Sequence, residues 1–260
     1  MKRVTQKVLM GTVYGLGVVL LFWSIFLFVY QYLAAWGMRG QVVQALASPR
    51  ILSALWISIT TSFVTVLFAI FFGVPLAYIF ARKQFWGKSF LETLTIDVPQ
   101  TFPPIAEGII LLLMLGPHSP FHVNIAYTYL AVVVAKFFVS APFIIAFMAR
   151  KFREIHTTDL DVIARTLGAN EFQVFRTVFM PLAIKDLMAG ASLCWARAMG
   201  ELGGSLVFAA SIPFKTEVIP TFIAQHASEY APALAATMLV TTASIIALVV
   251  FKALTPKGAR

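Results

Sequence analysis

Residues 51–81 read ILSALWISITTSFVTVLFAIFFGVPLAYIFA, a run of 31 residues from Ile51 to Ala81 with no acid or base. A helix rises about 1.5 Å per residue, so about 20 such residues cross the hydrocarbon layer of a bilayer. The apolar residues fall on every face of that helix and not along one stripe, as a helix surrounded by lipid requires. A second run, Val8 to Met38, is equally free of charge. Over the whole 260-residue chain, 60% of residues are hydrophobic and 12% are charged. Soluble domains hold roughly 45–50% apolar and about 25% charged residues. Lipid is therefore the solvent, and the chain reads as an all-α membrane protein.

Six spans are predicted, at about 9–35, 51–81, 92–116, 126–148, 184–210 and 231–252, within one transmembrane domain covering 1–260. The first follows Lys2, Arg3 and Lys7, as in a signal peptide. It is far longer than a signal core and has no small-residue cleavage site, so it reads as a retained helix. The third contains Pro99, Pro103 and Pro104, which must break or kink it. The single cysteine, Cys194, excludes an intrachain disulfide.

The basic residues orient this layout. Fifteen lie on one side: Lys2, Arg3, Lys7, Arg82, Lys83, Lys88, Arg150, Lys151, Arg153, Arg165, Arg176, Lys185, Lys252, Lys257 and Arg260. Three, Arg39, Arg50 and Lys215, lie on the other. The positive-inside rule then places both termini in the cytoplasm of a multi-pass protein of the cell (inner) membrane. The net charge of +9 faces an anionic leaflet, and no nucleic-acid site is expected.

The longest charged connection, about Arg150 to Lys185, lies on the basic side, and its helical pattern covers about 157–181. Thr157 and Thr158 suit a helix N-cap, and Asp159 and Asp161 suit the positive end of its dipole. Leu160, Ile163, Ala164 and Leu167 form an apolar stripe, Gly168 interrupts it, and a second short helix carries Phe172, Phe175 and Val178 before Pro181. The apolar residues Ile163, Leu167 and Phe172 have two burial sites open to them: this chain's own spans or a groove on a partner.

The run Val162-Ile163-Ala164-Arg165-Thr166-Leu167-Gly168, nine further residues and Val178-Phe179-Met180-Pro181 resembles the cytoplasmic signature of ABC-importer permeases. That signature is Glu-Ala-Ala, three residues, Gly, nine residues, Ile-x-Leu-Pro. The spacing agrees throughout; Val162 replaces the Glu and Ile163 the first Ala. Asp97-Val98-Pro99 through Pro103-Pro104 to Gly108, Ser140-Ala141-Pro142-Phe143, and Trp195-Ala196-Arg197-Ala198-Met199-Gly200-Glu201-Leu202-Gly203 are similar to permeases for molybdate, tungstate and sulfate. Glu107 departs from the small apolar residue expected there.

The resemblance implies the type I importer fold with a coupling-helix loop. It implies two cytosolic ATPases, an extracytoplasmic solute-binding protein, and a second permease subunit, expected as a homodimer. It implies coupling to the ATPase through Ile163, Ala164, Leu167, Gly168, Ala169 and Phe172, and transport by alternating access with no chemistry in this chain. Other permease ligands, such as ferric ion, thiamine or phosphate, remain alternatives, as does a polytopic membrane enzyme. Against the enzyme stands the absence of a nucleophile–base pair. Gly87-Lys88-Ser89 looks like a P-loop tail, but Arg82 stands where the first glycine belongs. His118, His122, His156 and His226 read as solvated loop residues, and no metal or cofactor is expected.

Four ionisable residues fall at bilayer depth: Glu107, Lys136, Arg197 and Glu201. Such groups should be paired or line a cavity. Arg197 and Glu201, four apart, are expected to pair on one helical face. Glu107 and Lys136 lie at matched depths, roughly 15 Å in at 1.5 Å per residue, and are expected to neighbour each other. Gly200, Gly203 and Gly204 leave a face for close helix approach. Thr101, Ser140 and Arg197 are the candidate path-facing residues.

Overall fold

The computed structural model describes the backbone of residues 2–254 and the side chains of 9–253. Lys257 and Arg260, and the side chains of Lys2, Arg3 and Lys7, lie outside the described residues. Helix α1 (Lys2–Gly37) is followed by the short α2 (Arg39–Leu46) and by α3 (Pro49–Arg82). Pro49 opens α3 at a position whose missing N–H is not needed. Next come α4 (Lys88–Glu92), a wide i→i+5 turn over Thr93–Asp97, α5 (Val98–Thr101) and α6 (Pro104–Leu115). The prolines break this segment, as the sequence requires: Lys88–Thr101 and Pro104–Leu115 meet at 119°.

Helix α7 (Tyr129–His156) begins at Thr128, whose hydroxyl accepts from the Ala131 N–H at 3.3 Å, and runs eight residues beyond the predicted end at 148. Then follow α8 (Leu160–Thr166), α9 (Glu171–Val174), a second wide turn over Phe175–Phe179 and α10 (Met180–Met199). Glu171–Met199 is one continuous helical stretch. The expected stop before Pro181 does not occur, because the wide turn makes room for the ring against the carbonyl one turn back. The short α11 (Gly203–Val207) and α12 (Ile219–Gln225) precede α13 (Tyr230–Leu254).

Among the described residues, five helical stretches are long and apolar enough to cross a membrane; the bent pair makes a sixth candidate. Packing decides how to count it. Lys136 of α7 meets Thr61 of α3, Ile145 packs on Gly73, and Phe152 on Tyr78. The numbers rise together, so α3 and α7 are parallel. The chain between them must therefore return across the same thickness, and the bent pair is a crossing. Phe152 against Phe179 and Phe147 against Gly190 make α10 antiparallel to α7. Tyr32 against Thr242, 2.9 Å apart, with Ala35 in one cluster with Ala235, makes α1 antiparallel to α13.

The core lies where α3, α7 and α10 meet, around Phe80, Ile144, Met148, Phe152 and Phe179. The rings of Tyr78, Phe152 and Phe179 pack edge to face at 5.1–5.7 Å, the arrangement aromatic quadrupoles favour.

The fifth span departs from its predicted bounds. Its helix ends at Met199, not 210, and the chain from Gly200 to His226 folds back as short broken pieces. The cause is Glu201. Its carboxylate accepts from the backbone N–H of Gly204 at 2.8 Å and of Ser205 at 3.0 Å, and from the Ser205 hydroxyl. Those are the free donors of a new helix start, so α11 begins where α10 stops.

Candidate functional site

At one end of the bundle, Leu160–Val174 forms a projecting knob of two helical turns joined at Gly168. Gly168 stands at φ 90 with open space beside it, so it is the backbone conformation that requires glycine there. The second turn starts with a reciprocal cap: Asn170 Oδ1 accepts from Gln173 N at 2.9 Å, and Gln173 Oε1 from Asn170 N at 2.8 Å. Thr157 and Thr158 do not cap α8 as expected; their hydroxyls donate to Glu154 O and Ile155 O, closing the end of α7. Leu167 is 83% exposed, Phe172 67% and Ile163 54%. Ala164 and Ala169 instead pack against the chain's own core.

A set of charges holds the knob to the spans. Arg82, the last residue of α3, pairs with Asp161 and lies 3.8 Å from Glu171. His156, at the end of α7, reaches Asp161 at 3.3 Å. Tyr78 donates to Glu171 at 2.6 Å, and Arg165 pairs with Glu171. Asp161 is buried. Burial alone would raise its pKa, but the hydrogen bond from His156 and the Arg82 guanidinium together hold it below the usual carboxylate range. This latch could not be read locally, because Arg82 and Asp161 are 79 residues apart.

Within the membrane the expected pairs do not form. Glu201 is taken by Gly204 and Ser205 and lies outside the helix that carries Arg197, so the two have lost the i,i+4 geometry. Arg197 is half-buried, with no hydrogen bond or ion pair among the described residues. Lys136 is fully buried, but its Nζ bonds to Ser58 O at 3.1 Å, Thr61 Oγ1 at 2.8 Å and Ser62 Oγ at 2.9 Å, and not to Glu107. Glu107 lies on another helix, with both carboxyl oxygens buried and without a hydrogen-bond partner among the described residues. It is wedged where α6 meets α11: a Cβ on Gly204 would stand 3.0 Å from Glu107 Oε1 and 2.9 Å from Ala135 Cβ. At Gly203 a Cβ would collide with the Pro104 backbone, so this contact is built on glycine.

Of the three candidate path residues, Thr101 is exposed at the break between α5 and α6, with its hydroxyl on Val98 O at 3.1 Å. Ser140 is fully buried and donates to Lys136 O, so it lies within packed protein and on no open surface. The structure does not bring Thr101, Ser140 and Arg197 together by any hydrogen bond. Irregular backbone collects at the α10–α11 and α11–α12 breaks, with positive φ at Ala210, Ser211 and Phe214. The broken stretch after α11 is satisfied by side chains: Thr216 Oγ1 donates to Ala209 O at 2.7 Å, and Ile219 N donates to Ser58 Oγ at 2.8 Å. Arg50 clamps it through two hydrogen bonds, of 2.9 and 2.7 Å, to the buried Glu217. Non-helical backbone at this depth occurs only where protein covers it or a cavity adjoins it.

Two histidines are not solvated loop residues: His156 ends α7 in the latch, and His226 stacks on Phe222 with centroids 4.1 Å apart. His118 and His122 are exposed.

Comparison with known proteins fits this geometry. A molybdate/tungstate transport system permease protein, WtpB, of Thermococcus kodakarensis is 38% identical over 168 residues. The match covers 65% of this chain and 65% of WtpB, just under two thirds of the relative's length. The sulfate transport system permease protein CysT of Salmonella typhimurium is 29% identical over 82% of this chain and 79% of its own. Among solved structures, a bacterial ABC transporter involved in alginate import superposes with a TM-score of 0.69, over 96% of this chain and 95% of that one, at 16% identity, which establishes likeness of fold. Residues 69–259 match the profile of a family described as the binding-protein-dependent transport system inner membrane component, and the chain belongs to that family.

Proposed function

We propose that this chain is the membrane-spanning subunit of an ATP-driven importer, that it moves a tetrahedral oxyanion such as molybdate, tungstate or sulfate, and that hydrolysis occurs in a separate ATPase subunit. The observation that carries the coupling is the knob: Leu167 and Phe172 are exposed on a rigid pair of helical turns that the latch ties to α3 and α7. Exposed apolar groups at the water-facing end of a membrane bundle gain by entering a groove on a soluble partner. Ile163, Leu167 and Phe172 are the contact residues; Ala164, Gly168 and Ala169 shape the turn behind them. Such docking transmits motion through Arg82 to α3 and through His156 to α7.

The oxyanion assignment rests on the relatives, whose names specify molybdate, tungstate and sulfate. In this reading an extracytoplasmic binding protein delivers the anion, a second copy of the chain completes the path, and the knob and both described ends of the chain face the cytoplasm. The breaks at Phe102–Pro103 and Gly200–Leu202 allow the path to open and close, with Thr101 and Arg197 bordering it. The test is reconstitution in vesicles with the ATPase and binding protein and uptake of radiolabelled molybdate. Competition by tungstate and sulfate but not by phosphate, thiamine or ferric ion is expected. ATP-independent turnover, or uptake indifferent to competing oxyanions, overturns the proposal.

A further inference from the structure

Between Arg82, which ends α3, and Lys88, which opens α4, Lys83, Gln84, Phe85, Trp86 and Gly87 turn the chain back, with Gly87 at φ 80. Trp86 is 100% exposed, and Phe85, Phe90, Leu91 and Leu94 are also exposed. Lys83 and Lys88 have no acidic partner within 4 Å among the described residues. Yet the turn is fixed at both ends: Arg82 is held by Asp161, and Glu92 by Arg153 at 2.6 Å. It is a braced turn that carries an exposed indole, two exposed phenyl rings, the exposed Lys83 and the half-buried Lys88.

The depth of the turn follows from the length of α3. A helix of 34 residues measures about 50 Å at 1.5 Å per residue, against about 40–45 Å for a bilayer with its headgroups. Both ends of α3 therefore reach the headgroup layer. Indoles concentrate at that layer, and lysines there bind anionic phosphates.

We propose that Lys83–Phe90 is a docking surface for the anionic phospholipid headgroups of the leaflet on the knob's side. Trp86, Phe85 and Phe90 sit at the boundary between headgroups and acyl chains, and Lys83 and Lys88 bind lipid phosphates. Lipid fits better than a protein groove for two reasons. The exposed apolar surface continues from Phe90 into Leu91 and Leu94, on the helix that enters the bilayer. The two lysines are complementary to phosphate and need no acids placed opposite them.

The test uses the full chain in nanodiscs of phosphatidylcholine alone or with added phosphatidylglycerol. The Trp86 component of fluorescence is the difference between the native chain and Trp86→Phe, a change on a fully exposed turn that leaves the core intact. Lipids brominated near the headgroup should quench this component, and aqueous iodide should not. Brominated phosphatidylglycerol should quench more strongly than brominated phosphatidylcholine, and Lys83→Gln or Lys88→Gln should each lower that preference about fivefold. Quenching by iodide and not by brominated lipid overturns the anchor. Equal quenching by both lipids, unchanged in the lysine variants, overturns its selectivity for anionic headgroups. Shielding that appears only when the ATPase is added identifies a protein-docking turn instead.

Discussion

Asp161 shows how one carboxylate can fix the angle of a projecting element. Asp161→Asn keeps the size of the side chain but leaves Arg82 with Glu171 alone at 3.8 Å. Breaking a lone buried pair costs about 3–5 kcal/mol; with the second acid present, a loss of about 2 kcal/mol in knob stability is expected, read by hydrogen exchange of the Leu160–Thr166 amides. The pH dependence follows from the lowered pKa of Asp161. A group depressed in the folded state contributes stability above its ordinary value, near 3.9, and the contribution fades as pH falls through the lower folded value. Protection of these amides should therefore be lost below about pH 4 in the native chain, and Asp161→Asn should remove that transition. A transition unchanged in the variant would assign it to another group. Lys136 poses a different problem, since three oxygens of α3 surround its amine at full burial. Thr61→Val with Ser62→Ala strips two of them and should cost about 1–3 kcal/mol for a buried polar group left short of partners. Adding Lys136→Met should restore most of that. A triple variant no more stable than the double would mean that the hydroxyls matter for α3 itself. Changing Glu107 and Lys136 together should give additive effects, because they share no hydrogen bond or ion pair.

At the scale of elements, the knob separates residues that face outward from residues that support it. Leu167→Asp changes a side chain that is 83% exposed, so folded protein should be recovered at normal levels while co-purification of the ATPase is lost. Ala164→Asp places a carboxylate against the chain's own core, so it should lower the yield of folded protein and says less about coupling. Gly168→Val meets no neighbouring atom, yet it must hold a β-branched residue at φ 90; a strain of roughly 1–3 kcal/mol should tilt α8 and weaken coupling without blocking insertion. Retention of the ATPase by Leu167→Asp would refute the knob's role. The outline of this element was legible in the sequence, because a glycine between two apolar stripes, with acids ahead and a proline behind, is a local pattern. The latch was not, since Arg82, His156, Asp161 and Glu171 meet only through tertiary packing. The end of the fifth span misled for a related reason. Residues 184–210 look like one apolar helix, and nothing local reveals that Glu201 will spend its oxygens on the backbone of Gly204 and Ser205.

Across the whole molecule, the packing of helices fixes their relative directions, and the distribution of lysine and arginine supplies the expected side for each end. Hydrophobic runs identified the long spans directly, because length and charge exclusion are properties of the sequence alone. The third crossing needed the structure, for a segment bent by 119° is equally readable as a re-entrant loop. The parallel pairing of α3 with α7 removes that ambiguity. It also places Lys151, near the end of α7, on the knob's face, and Lys215, beside the Arg50–Glu217 clamp, on the opposite one. Both sites tolerate substitution: Lys215 is exposed and outside every ion pair described, and Lys151 makes a helical i,i+3 pair with Glu154, worth only a few tenths of a kcal/mol. In a Cys194→Ala background, Lys215→Cys should therefore react with an impermeant thiol reagent applied to intact cells, and Lys151→Cys should react only after the membrane is opened. Two crossings fewer or more between these positions would leave the result unchanged, but a single crossing gained or lost would put both sites on one side. Labelling of both from outside would mean that α10 does not cross, and the reverse pattern would make the bent pair a re-entrant loop or invert the chain, and with it the assignment of the knob to the cytoplasm.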